Sequence, residues 1–121
     1  MARAIPEAAI RLKRAYAAPS SDDGVRILVD RLWPRGLSKA NAAIDRWMQE
    51  VAPSAELRRW FGHDPSRWQE FRRRYRAELS QHEEQLNELR AMARQGTLTL
   101  IYAARNQDCN EAVILREVLL G

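Results

Sequence analysis

The sequence predicts an α/β fold: a small, mostly parallel sheet flanked by helices, with one long helix that is kinked or broken. Two short apolar runs, VRILVD at 25–30 and TLTLIYAA at 97–104, are typical of strands buried on both faces. A long amphipathic stretch separates them, and the order strand, helix, strand indicates a βαβ unit. With 121 residues, we expect a single α/β domain over residues 1–121.

The first half of the chain supplies the remaining strands. In AAIRLKRAY (8–16), apolar and charged residues alternate, which predicts a half-exposed strand near an edge of the sheet. The loop AAPSSDDG (17–24) leads into the first buried run, and Pro34 and Gly36 stop that run. The segment IDRWMQEV (44–51) suits either a helix or a strand, and we favour a short strand.

Capping residues mark the helices that follow. Ser54 is a good N-cap and Gly62 a good C-terminal stop, so they bound a short helix. Asp64 and Pro65 then predict the start of the next helix. Gly96 ends the helical region, and a final helix is predicted in EAVILREVLLG, from residue 111 onward.

The long helix carries its apolar residues at steps of three and four, as an amphipathic helix does. These residues are Trp68, Phe71, Tyr75, Leu79, Leu86 and Leu89. A helix from residue 65 to about residue 94 would be ~45 Å long, whereas a domain of this size has a radius of gyration of roughly 14 Å. We therefore expect a kink or a break near residues 80–83.

Composition restricts the class of protein. No apolar run approaches the ~20 residues that span a bilayer, and the N-terminus lacks a signal-peptide core. Cys109 is the single cysteine, which excludes an intrachain disulfide, so a cytoplasmic location is expected. The net charge of +4 comes from 18 Arg and 2 Lys against 16 acidic residues. The arginine bias fits either the codon usage of the host or recognition of carboxylates and phosphates.

Polar residues follow both predicted interior strands. In open α/β sheets, ligands bind outside the carboxyl ends of parallel strands. The final helix also begins there, with its unpaired N–H groups directed toward that edge. The sequence therefore predicts an anion-binding pocket with Trp33 as a stacking wall. Its candidate ligand-binding residues are Asp30, Arg31, Trp33, Arg35, Arg105, Asn106 and Asn110.

A structural role competes with this interpretation at each position. The charged residues after the first strand can tie two loops together, and Pro34 and Gly36 can act only as turn residues. Asp30 is the candidate general acid or base if the site is catalytic. An aspartate flanked by arginines is better suited to orienting them than to accepting protons.

The other motifs give weaker indications of a catalytic or binding site. Cys109 lies at the start of the last helix, but neither histidine adjoins it in sequence, and we expect it to be structural. No spacing of His and Cys suggests a metal site, and no glycine-rich phosphate loop is present, so neither metal nor cofactor is expected. The adjacent carboxylates at 22–23 and 83–84 are interpreted as solvated surface.

Four segments resemble the YeaO-like family of short bacterial proteins, classed as a domain of unknown function. They are LVDRLWPRG (28–36), PSAELRRWF (53–61), the W..F..RY..EL pattern (68–79) and LTLIYAARN (98–106) with Asn110. The resemblance covers about residues 10–120 and implies an α/β fold without an established activity. It carries over onto the 30–36 motif and onto Arg105, Asn106 and Asn110, but Cys109 lies outside the family pattern.

Two functions remain as hypotheses. The first is binding of a small anionic ligand, phosphate-like or nucleotide-like, at the carboxyl edge of the sheet. The alternative is a nucleic-acid or protein-binding module that uses the arginine-rich helices at 58–76, although their acidic neighbours also favour local ion pairs and a solvated face. No membrane partner is expected.

Overall fold

The computed structural model describes residues 4–121, which form a four-stranded sheet in which every strand pair is parallel. The strands are β1 (Ile10–Arg14), β2 (Val25–Leu28), β3 (Arg46–Trp47) and β4 (Leu98–Tyr102), in the spatial order β1-β4-β2-β3. The predicted α/β class is confirmed. The alternating strand β1 lies at one edge, as predicted, and the two apolar strands β2 and β4 lie inside.

Within the described residues, five α-helices accompany the sheet. They are α1 (Lys39–Ala42), α2 (Ala55–Phe61), α3 (Trp68–Leu79), α4 (Glu83–Gln95) and α5 (Glu111–Leu120). The expected break falls between α3 and α4, which have 12 and 13 residues. None of the helices in this part of the chain combines the length and apolar character that crossing a bilayer requires.

Several predicted helix boundaries are confirmed by their hydrogen bonds. The Ser54 hydroxyl accepts from the backbone N–H of Leu57 at 3.1 Å and caps α2. Gly62 ends α2 with a left-handed φ of 53°. The Asp64 carboxylate caps a short 3₁₀ turn (Pro65–Arg67) that leads directly into α3.

The two faces of the sheet are covered differently. Helices α2 to α5 pack on one face, where buried side chains from all four helices meet Ile27, Val29 and Leu100. The other face carries a smaller cluster, in which Leu28 and Ile101 lie under the segment at 33–44. The successive residues at 27–29 therefore point alternately to two apolar environments, which explains why β2 is apolar without alternation.

A buried ion pair lies at the amino end of β2, and it corrects one prediction. Asp23, expected at a solvated turn, is only 1% exposed, and its carboxylate lies 2.6 Å from the Arg26 guanidinium and 3.1 Å from Lys13 Nζ. Burial by itself raises the pKa of Asp23, but hydrogen bonds from Ser20 N–H, Lys13 and Arg26 outweigh it and hold the pKa below its ordinary value. The pair thus anchors the turn that precedes β2.

Gly24 provides a test of how closely β2 and β4 approach. Its φ is +62°, and a Cβ there would clash with the backbone carbonyl of Thr97, which accepts the Val25 N–H at 3.0 Å. We expect Gly24→Ala to lower the free energy of unfolding by about 3 kcal/mol or more, because strain and overpacking act together. Urea denaturation measures this change.

Gly36→Ala is the matched control. Gly36 also has a positive φ, of +76°, but no atom lies within 4 Å of the position its Cβ would take. We expect it to cost only about 1 kcal/mol, the conformational term alone. Equal losses in the two variants would contradict the close approach of the two strands.

Candidate functional site

A cavity of about 700 Å³ opens at the carboxyl edge of the sheet. The segments that follow β1, β2 and β4 contribute to it, together with α2, α3 and the first residue of α5. All seven residues predicted from the sequence line this cavity, namely Asp30, Arg31, Trp33, Arg35, Arg105, Asn106 and Asn110. Residues from two distant parts of the chain therefore line the same cavity. Their role in ligand binding stays a prediction.

Hydrogen bonds tie the three strand ends together beneath the cavity. The Asp30 carboxylate accepts from the backbone N–H of Ala103 at 2.9 Å, which joins the end of β2 to the end of β4. The Arg14 guanidinium, at the end of β1, donates to the carbonyls of Ala103 and Ala104 at 3.0 and 2.9 Å. The Tyr16 hydroxyl donates to the Arg35 carbonyl at 2.9 Å. The cavity floor is thus built from short, defined contacts.

Two cations of the cavity have no partner among residues 4–121. Arg35 and Arg105 are both exposed. Within residues 4–121, neither guanidinium group forms a hydrogen bond or an ion pair. Each guanidinium carries five N–H donors that fit carboxylate or phosphate oxygens bidentately. These two groups are therefore available to a ligand.

Two other predicted residues use polar atoms within the fold. Arg31 Nε donates to the Pro53 carbonyl at 3.2 Å, and the Trp33 indole N–H donates to the Leu37 carbonyl at 2.6 Å. The Trp33 ring also packs edge-on against Trp47, with 5.6 Å between ring centroids. These contacts fix the wall of the cavity rather than leaving its side chains adaptable.

The two asparagines hold the loop between β4 and α5. Asn110 is 2% exposed, and its side-chain oxygen accepts from the N–H groups of Ala112 and Val113, which makes it the N-cap of α5. Its amide nitrogen donates to the Asn106 carbonyl at 3.0 Å. The Asn106 side-chain oxygen accepts from the N–H of Cys109 at 2.9 Å. Both amides thus position the loop that carries Arg105.

A pair of carboxyl groups occupies the cavity, and sequence analysis missed it. Asp30 and Glu111 both line the cavity, and the Asp30 carboxyl group disfavours the charged form of Glu111. Burial raises the pKa of Glu111 well above its ordinary value, and the hydrogen bond and negative charge of Asp30 raise it further. The positive charge of Arg58 lowers the pKa of Glu111, but by less than the other effects raise it. Glu111 therefore retains a proton to a higher pH than an exposed glutamate.

Position along the fold is the signal that could have revealed Glu111. It is the first residue of α5, directly after a good N-cap, and α5 starts at the same sheet edge where Asp30 follows β2. Arg58 was also missed, because it belongs to α2, whose orientation toward the cavity depends on helix packing. His63 and Cys109 line the cavity too, but no three His, Cys, Asp or Glu side chains of residues 4–121 gather into a metal-binding group.

Comparison with known proteins assigns the chain to a family. The family model described as the inactive DUF488-N3 subclade matches residues 9–121. The chain belongs to this YeaO-like family. The uncharacterized protein YeaO of Escherichia coli (strain K12) is 44% identical over 110 residues, which cover 91% of this chain and 96% of that protein. The resemblance expected from the sequence is thereby confirmed.

Two further relatives of the YeaO-like chain are mycobacterial. The uncharacterized proteins Mb3100c of Mycobacterium bovis and Rv3073c of Mycobacterium tuberculosis (strain H37Rv) are each 38% identical over 117 residues. The match covers 97% of this chain and 98% of each relative. No solved structure matches the chain significantly. The relatives thus support the family without assigning it a reaction.

The raised pKa of Glu111 makes the stability of this YeaO-like protein depend on pH. A native group that holds its proton more tightly than the unfolded chain stabilises the fold below its ordinary pKa of 4.5, and this contribution is lost as the pH rises through the raised value. Glu111→Gln keeps a neutral hydrogen-bond donor to Asp30. We expect the variant to melt at a higher temperature than the wild type at pH 8 and at the same temperature near pH 4.

Glu84→Gln serves as the control, since Glu84 is an exposed glutamate in the first turn of α4. We expect its melting temperature to follow that of the wild type at both pH values. Calorimetry at pH 4, 6 and 8 makes the comparison. A Glu111→Gln variant that is less stable than the wild type at pH 8 would contradict the raised pKa of Glu111.

Proposed function

We propose that this protein binds a small anionic ligand, phosphate-bearing or nucleotide-like, in the cavity at the carboxyl edge of the sheet. The observation that carries the proposal is the pair Arg35 and Arg105. They come from two separate loops, they line one cavity, and their guanidinium groups have no partner within the described residues. Such a pair of unpartnered bidentate donors suits an oxyanion.

The dimensions of the cavity support a ligand larger than a bare phosphate. Small-molecule sites usually enclose ~300–1,000 Å³, and this cavity encloses about 700 Å³. Its lining includes the rings of Trp33, Phe61 and Phe71, and the last two stack with 4.2 Å between centroids. An apolar or ring-shaped part of the ligand therefore has a surface to contact while the arginines hold its anionic end.

Binding without turnover fits this site best. The family model that matches the chain is described as an inactive subclade, and this description applies to the family model. In this chain, Asp30 is engaged by the N–H of Ala103 and by Glu111. We therefore assign Asp30 to holding the architecture of the site, rather than to general acid or base catalysis.

The arginines of α3 favour the alternative function less. Arg72 and Arg73 lie 2.6 Å from Glu117 and Glu70, and Arg74 lies 2.7 Å from Glu70. Exposed ion pairs are weak, so these arginines can still exchange partners. Their charge is nevertheless partly balanced at close range, whereas that of Arg35 and Arg105 is not.

Removing either cavity arginine tests the proposal. We expect Arg35→Ala and Arg105→Ala each to weaken pyrophosphate binding at least tenfold, because a hydrogen bond to a charged group contributes about 1.5–3 kcal/mol. The melting temperature should change little, since both side chains are exposed and unpartnered. Isothermal titration calorimetry and thermal melts measure the two effects.

The double variant Arg73→Ala/Arg76→Ala is the control and should bind pyrophosphate as the wild type does. If the cavity variants unfold or bind unchanged, the cavity is not the anion site. The same proteins titrated with single-stranded DNA at increasing salt test the alternative. A steep loss of affinity with salt that depends on Arg73 and Arg76 would favour a nucleic-acid module.

A further inference from the structure

We propose that the Asp30–Glu111 pair binds adjacent hydroxyl groups of the ligand, so that the cavity takes a sugar phosphate or a nucleotide whose sugar carries a vicinal diol. The inference rests on the proposed anion site and names the ligand class for it. Both carboxyl groups line the same cavity as Arg35 and Arg105. One ligand can therefore contact the arginines and the carboxyl pair within the same cavity.

Hydrogen bonds with the fold hold Asp30 in place. Asp30 accepts the Ala103 N–H at 2.9 Å, and its own carbonyl accepts the Trp47 indole N–H at 2.7 Å. Glu111 is the first residue of α5, and the Asn110 cap fixes the backbone next to it. A carboxyl group that the fold already holds loses little conformational entropy on binding, which suits recognition of a defined group.

The chemistry of the pair matches hydroxyl groups. Carboxyl oxygens that line a cavity accept hydrogen bonds from hydroxyl groups, and a protonated carboxyl group also donates one; each hydroxyl of a diol both donates and accepts. The raised pKa of Glu111 favours its neutral form, which reduces repulsion of an anion held in the same cavity by the arginines. Buried polar groups left without partners are costly, so a ligand that lacks one hydroxyl should bind less well.

A cationic ligand group fits the same position less well. The charge of Arg58 already acts on Glu111, and an ammonium group placed beside the pair would meet that like charge. Arg31, the residue after Asp30, adds a second guanidinium group to the lining. These positive charges therefore favour a neutral hydroxyl-bearing group over an amine.

Three probes separate the steps of this inference in isothermal titration calorimetry. Inorganic phosphate tests the anion site alone, while ribose 5-phosphate and 2-deoxyribose 5-phosphate differ by a single hydroxyl. We expect all three to bind the wild type, with ribose 5-phosphate at least tenfold tighter than the deoxy compound. Glu111→Ala should reduce this preference to less than twofold and leave the affinity for inorganic phosphate unchanged.

Glu111→Gln is the conservative variant, because its amide still donates to Asp30 and its oxygen still accepts. We expect it to keep most of the preference for ribose 5-phosphate, and thermal melts establish that both variants are folded. If Glu111→Ala fails to fold, Glu111→Gln and the wild-type preference still decide the matter. Loss of the preference in a folded Glu111→Gln variant would overturn the role given to the pair.

The outcomes distinguish the diol site from the anion site on which it rests. Equal binding of ribose and deoxyribose 5-phosphates, with inorganic phosphate bound, would overturn the diol site and leave the anion site standing. Tighter binding of 2-aminoethyl phosphate than of ribose 5-phosphate would replace the diol with an amine and overturn the inference. Failure of all the phosphates to bind would overturn both.

Discussion

The parallel register of β2 against β4 is the constraint on which the rest of the molecule depends. It places Leu28 beside Ile101, so the two chains leave the sheet at the same level and in the same direction. The contact between the Asp30 carboxylate and the Ala103 N–H follows directly from that register. A pairing in the opposite sense would place the arginine loops at opposite ends of the sheet, and no common cavity would exist.

Much of this arrangement was readable from the sequence because it rests on local patterns. The apolar runs identified β2 and β4, alternation placed β1 at an edge, and the length of the amphipathic stretch required a break before α4. Once two interior strands are assigned to a parallel sheet, the residues that follow them must lie at one edge. Arg35 and Arg105 therefore needed no knowledge of side-chain contacts to be brought together.

The remaining features depend on contacts that a single sequence does not encode locally. Glu111 and Asp30 are far apart in the chain, so their pairing depends on where α5 starts in space. An asparagine offers the same amide atoms to a helix cap as to a ligand, and only the structure assigns those of Asn110 to the cap. The sequence around Asp23 is typical of an exposed turn. Its burial is explained by the ion pairs with Arg26 and Lys13, which only the structure shows.

The position of β4 in the sheet affects how the chain folds during synthesis. Strand β4 is the last to leave the ribosome, yet it lies between β1 and β2, which do not pair with each other. The partners Ile10 and Leu98 are separated by most of the chain, so closing this pair carries a large entropic cost and should slow folding. A nascent chain that stops short of β4 has an incomplete sheet with exposed strand edges, and such edges favour aggregation during synthesis.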